Sequence, residues 1–148
     1  MTQVTLSTGD DVTASYLNAL NTASQRLARV EDVDLNAVAT TDLYTVPTGK
    51  IALITHVFLH SLSATAGTAV VTFGEKSGTK AEWRGNQTLS NMTTLGDYTV
   101  IYMDQGTSGT PESSPQFAAA DVFVIDVGTA AGSASTVTAD VYGYLMDA

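Results

Sequence analysis

The feature that most constrains this chain is its rhythm after residue 41, where seven short runs rich in Val, Ile, Thr, Tyr and Phe alternate with Gly, Ser, Asn and Pro. The runs cover 43–46, 51–60, 68–75, 81–89, 97–103, 117–127 and 136–146. β-Branched and aromatic side chains fit a pleated, half-buried surface, so each run predicts a strand. Seven strands at this spacing predict an all-β fold, an antiparallel β-sandwich of jelly-roll-like form. The last run alternates most clearly. Val137, Ala139, Val141, Gly143 and Leu145 are expected inside, with Thr136, Thr138, Asp140, Tyr142 and Tyr144 outside. Ala69, Val71 and Phe73 form a second inward set, and Phe123, Ile125 and Val127 a third.

Ahead of the strands, 13–31 has a different period. Tyr16, Leu20, Ala23, Leu27 and Val30 follow a 4-3-4-3 spacing, which predicts one N-terminal α-helix with an apolar stripe. Asp10 and Asp11 precede it, Thr13 is a candidate N-cap, and Arg26 and Arg29 lie in its last turns, as a helix dipole favours. The chain therefore divides into an N-terminal arm and helix, 1–41, and a sandwich domain, 42–148. A lone helix of this length is marginal in water. Its stripe must pack on its own sandwich or form an intersubunit seam, for which Tyr16, Leu20, Leu27 and Val30 are the candidate residues.

If consecutive strands run antiparallel, alternate connections lie at opposite ends of the sandwich. Connections 46–50, 76–80 and 104–116 then share one end, which holds all three lysines, Lys50, Lys76 and Lys80. Connections 61–67, 90–96 and 128–135 share the other and contain no charged residue. The helix is expected to enter the first strand at this neutral end, making it the place for close packing against another subunit.

Chemistry is sparse. There is no Cys, which excludes thiol catalysis, Cys-based zinc sites and disulfides. A net charge of −9 leaves too few Lys and Arg for a track along nucleic acid. His56 and His60 share one strand, where i, i+4 spacing separates them by ~13 Å, too far to share a metal. Asp32, Asp34 and Asn36 imitate the opening of a calcium loop, but Ala37 and Leu43 stand where Gly and a closing Glu are required. The run 74–80 lacks phosphate-loop spacing, and 106–109 misses the nucleophile elbow. No nucleophile pairs with a base, so no catalytic residue, cofactor or metal is assigned and the chain is read as a non-enzyme. No run approaches the ~20 apolar residues of a membrane span. Nor does 1–9 carry the basic and apolar regions of a secretory signal, so a soluble protein with a mature N-terminus is expected. Trp83, the single tryptophan, has two readings: a core residue facing the way of Ala81 and Leu89, or, with Tyr142 and Tyr144, a platform for a sugar ring. Tyr98 and Tyr102 are further outward candidates.

Two local patterns resemble structural proteins of tailed bacteriophages. Thr8-Gly9-Asp10-Asp11-Val12-Thr13-Ala14-Ser15-Tyr16-Leu17-Asn18-Ala19-Leu20 resembles a helix opening found near the N-terminus of phage tail and virion-appendage proteins. Asp42-Leu43-Tyr44-Thr45-Val46-Pro47-Thr48-Gly49-Lys50-Ile51-Ala52 resembles the strand-turn-strand that begins small phage β-sandwich domains. The resemblance implies a virion structural protein, commonly a homotrimer, whose partner is the major capsid protein or another virion protein, with no nucleic acid and no membrane. A capsid decoration (cement) protein is the expected role. The alternative is a tail, baseplate or head-fibre appendage that binds a host-surface glycan. An acidic protein is repelled by a packaged genome, which favours the outer surface of a virion assembled in the host bacterial cytoplasm. With 23 Thr, 19 Ala and few charges, the surface suits packing against protein.

Overall fold

A computed structural model of the chain describes residues 24–103 and 116–148. Eight strands form within them: β1 (Gln25–Asp34), β2 (Thr40–Thr45), β3 (Lys50–His60), β4 (Val70–Glu75), β5 (Arg84–Thr88), β6 (Thr99–Tyr102), β7 (Val122–Thr129) and β8 (Thr136–Asp147). Strands β2 to β8 fall on the seven runs expected from composition. They make two four-stranded antiparallel sheets, ordered β1-β8-β3-β6 and β2-β7-β4-β5, called here sheets A and B. Every connection except β4–β5 crosses from one sheet to the other. One apolar cluster fills the space between the sheets. Val57, Leu59, Ala139 and Val141 of sheet A enter it with Val71, Phe73, Phe123 and Ile125 of sheet B. The three inward sets read from alternation are buried there apart from Leu145, which packs on the cluster half-buried, and Gly143, buried in its own strand.

The expected helix is corrected over its last third. Gln25–Asp34 is a strand paired antiparallel with β8; the beginning of the predicted helix, with Tyr16 and Leu20, lies outside the described residues. The physical cause is two bulges in β1. The register steps from Arg26↔Tyr142 to Ala28↔Val141, and from Val30↔Ala139 to Val33↔Val137, so each bulge adds one residue. An inserted residue turns the period of 2 into a local period of 3. Leu27, Val30 and Val33 therefore face the core at a spacing that imitates one face of a helix. Asp32, in the second bulge, takes φ 55°, a left-handed conformation that Asp tolerates better than most residues. The pairing of β1 also carries the sandwich back to Gln25, ahead of the boundary expected at residue 42.

Hydrogen bonds between loops sort the connections into two ends. At one end Leu35 N–H donates to Ser135 O at 2.9 Å, Ala131 N–H to Leu35 O at 2.8 Å, Ser63 N–H to Thr136 O at 3.0 Å and Ala66 N–H to Met92 O at 2.8 Å. At the other, Val46 N–H donates to Asp121 O at 3.0 Å and Lys76 N–H to Val122 O at 2.8 Å. The grouping is the one that parity predicts. The chain enters β2, the first strand read from sequence, at the neutral end as expected, but the element that leads into it is β1, which runs there from the lysine end.

Candidate functional site

The neutral end is a closed cap. Its connections, 35–39, 61–69, 89–98 and 130–135, hold one charged residue among them, Asp97. Each sends an apolar side chain down into the core: Leu35, Leu62 and Ala66, Leu89 and Met92, and Ala131. Together with the bonds between loops, these plugs tie the loops to the core. Asp97, near the end of the third loop, turns back to accept from the backbone N–H of Thr93 at 2.7 Å and of Thr94 at 2.8 Å. Those bonds hold its carboxyl below the usual carboxylate range. Asp34, at the end of β1, accepts from Asn36 N–H at 2.7 Å, an Asx turn where the sequence imitated a calcium loop. Two large apolar residues remain outside the cap: Val38 is 70% exposed and Leu95 67%. They stand at opposite margins of this end, because β1–β2 joins the sheets along one edge and β5–β6 along the other.

The lysine end is different in kind. Lys50 Nζ meets Asp147 Oδ1 at 2.5 Å, Lys76 Nζ meets Asp42 Oδ2 at 2.8 Å, and Lys80 Nζ lies 3.6 Å from Asp126 Oδ1. Thr40 also donates to Asp126. The β4–β5 connection folds over Gly74, where an added Cβ would stand 2.8 Å from the Lys80 carbonyl carbon. All three lysines are thus paired with carboxylates of their own chain.

The outer face of sheet A carries the aromatic side chains. His56 stacks on Tyr142 with ring centroids 4.7 Å apart and lies 5.9 Å from Tyr102. Phe58 stacks on His60 at 4.8 Å and meets Tyr98 edge-on at 5.5 Å. Tyr98 and Tyr102 are 67% and 62% exposed, whereas Ile101 on the inner face is buried. Partial burial among these rings pushes the His56 pKa down. Tyr144, two residues on from Tyr142, is half-buried.

Beside the rings lies a cluster that alternation alone does not foresee. Asp140, at an outward position of β8, is 2% exposed. Its carboxylate accepts two hydrogen bonds from Arg29 of β1 and faces His60 Nε2 of β3 at 3.1 Å, with Arg26 Nη1 at 3.9 Å. Three strands thus converge on one buried charge. No sequence pattern marks this cluster; the pairing of β1 and β3 with β8 brings Arg29 and His60 to Asp140.

The sequence candidates separate cleanly. Leu27 and Val30 pack, half-buried, against the core from β1, and are corrected from a helical seam to a strand edge. Trp83 is fully buried, meets Phe123 edge-on at 5.3 Å and donates from Nε1 to Ile54 O at 3.0 Å, so it is a core residue bridging the sheets and not a sugar platform. Tyr142 and Tyr144 are on the outer face of sheet A without it. Among the described residues no helix is long and apolar enough to cross a membrane.

Neither a protein-family model nor a curated protein sequence matches the chain. Among solved structures it is similar to a chain of the "Cyanophage Pam1 capsid asymmetric unit", with a TM-score of 0.46 and 12% sequence identity over 79% of this chain and 80% of that one.

Proposed function

We propose that the chain is a non-enzymatic phage virion structural protein, a capsid decoration (cement) protein that sits on the outer shell and docks through its neutral end. The observation that carries this reading is the cap itself. Its loops carry a single charged residue, Asp97, which is engaged by its own turn; bonds between loops and apolar plugs tie them to the core, and Val38 and Leu95 are left exposed at the margins. Such a surface loses little conformational entropy on docking and has few charges to desolvate, two costs that limit affinity at protein interfaces.

Other observations support the same role. The strand order β1-β8-β3-β6 against β2-β7-β4-β5 has the connectivity of a jelly roll, an architecture that serves in viral shells. Two sequence stretches resemble tailed-phage virion proteins, many of them trimeric, which supports a homotrimer. A net charge of −9 favours the face turned away from the genome. The mechanism is mass action: a protein that binds only the assembled lattice stabilises that lattice against the separated state. A stable attachment requires roughly 800 Å² on each partner, and a capping end with apolar margins is suited to supply it.

Immunogold labelling of intact virions tests this location. Gold on heads is the expected outcome; gold confined to tails would reject the decoration role in favour of an appendage.

A further inference from the structure

His60 closes β3 between two partners. Its Nε2 stands 3.1 Å from Asp140 Oδ2, and its Nδ1 stands 2.8 Å from Ser61 Oγ. Phe58, which lies opposite Asp140 in the β3–β8 register, stacks on the same ring at 4.8 Å, so the imidazole is held on one face and at both nitrogens. Asp140 is anchored in turn. Arg29 bonds to both of its oxygens and holds the carboxyl below the usual carboxylate range against the opposing effect of burial, with Arg26 Nη1 3.9 Å away. A carboxylate only accepts hydrogen bonds, so in the neutral imidazole the proton sits on Nε2 and Nδ1 carries the lone pair. The Ser61 hydroxyl is then the donor, aimed at a base. Ser61 is exposed and takes φ 54°, a left-handed conformation uncommon outside glycine. Strain of this kind persists where the surrounding contacts over-determine it, and here it accompanies a hydroxyl set against the ring of the preceding residue.

We infer that Ser61 is an activated nucleophile, with His60 as its base and Asp140 positioning the ring, and that it takes an acyl group from activated esters. Ser61 Oγ attacks the ester carbonyl while its proton passes to His60 Nδ1. A bond forms between Oγ and the carbonyl carbon, the bond to the leaving oxygen breaks, and the proton held by His60 goes to that oxygen. Asp140 keeps its charge throughout, because the bonds from Arg29 oppose its protonation, and it stabilises the imidazolium formed in between. The product is an acylserine, one covalent modification per chain. No step requires turnover, so the site stands beside the structural role proposed above and does not depend on it.

Acetylation of the full chain by p-nitrophenyl acetate, mapped by tandem mass spectrometry, tests the site. Ser61 should be acetylated roughly 100-fold faster than Ser63, an exposed hydroxyl that accepts from Thr136 N–H. Its rate should level off with rising pH once the histidine has lost its proton, whereas an unassisted hydroxyl keeps gaining with hydroxide. In His60→Gln the rate at Ser61 should fall to that of Ser63 while the buried emission of Trp83 is unchanged. A rate retained in that variant with Trp83 unchanged would overturn the proposal. So would equal rates at the two serines of the unaltered chain, or a Ser61 rate that climbs with pH without a plateau, and these two results stand whether or not the variant folds.

Discussion

Arg29 grips Asp140 with both arms of its guanidinium, Nε to Oδ1 at 2.8 Å and Nη2 to Oδ2 at 2.9 Å, across the register pair that joins β1 to β8. β1 is an edge strand interrupted by two bulges, so its backbone ladder is weaker than that of the strands inside the sheet. A bidentate pair to a buried carboxylate restores the attachment from the outer side. His60 closes the third side of the same carboxylate from β3.

Removing the acceptor tests that role. Asp140→Ala leaves Arg29 and His60 without their shared partner and should lower stability by about 2 kcal/mol. Urea melts measure the loss, and hydrogen exchange should show the amides of β1 opening first. Equal opening across all strands of sheet A would argue that the pair does not specifically hold β1.

Acid should weaken the fold in two stages. Burial lowers the His56 pKa, and the Arg29 hydrogen bonds, helped by that of His60, lower the Asp140 pKa against the opposing effect of its own burial. Both groups bind fewer protons folded than unfolded. Their contributions are therefore complete above the unfolded values and decline as pH falls, below ~6.5 for His56 and below ~3.9 for Asp140. His56→Phe should reduce the stability lost between roughly pH 7.5 and 5 in urea melts. An unchanged loss would show that His56 does not carry the upper stage.

Much of the sandwich was legible because its signals are local. Alternation placed Val71, Phe73, Phe123, Ile125, Val137 and Val141 inside, and parity sorted the loops without knowledge of which strand joins which sheet. β1 was illegible for a definite reason: its two bulges give Leu27, Val30 and Val33 helical spacing, and the arginines that suited a helix end instead serve Asp140. Asp140 itself was placed outside by alternation, correctly as to face, but its burial depends on side chains 80 and 111 residues away. No local pattern encodes that.

Gly143 of β8 lies where the backbone of β3 leaves no room for a side chain. An added Cβ would stand 2.3 Å from Leu53 O and 3.0 Å from Ile54 Cα, both backbone atoms that cannot rotate away. Gly143→Ala should cost about 3 kcal/mol, with Gly96→Ala, where nothing lies within 4 Å, as a near-neutral control. Thermal melts of the two variants should differ widely; similar midpoints would contradict the close approach.

Trp83 ties the sheets together from the inside. Trp83→Phe keeps most of the apolar volume but leaves Ile54 O without its donor and opens a small cavity, so a loss of about 2 kcal/mol is expected in denaturant melts. A variant as stable as the parent would remove the hydrogen bond from the account.

The claim that the neutral end attaches the protein to the outside of a virion is tested most directly by rebinding. Particles produced without the protein are mixed with the purified chain or with Val38→Asp/Leu95→Asp, and the fraction that sediments with particles is measured. Both substitutions are at exposed positions, so the variant should fold within about 0.5 kcal/mol of the parent. The account predicts saturable binding of the parent and loss of most binding by the variant. Equal binding of the two would contradict docking through the neutral end, and no saturable binding of the parent would contradict the decoration role itself.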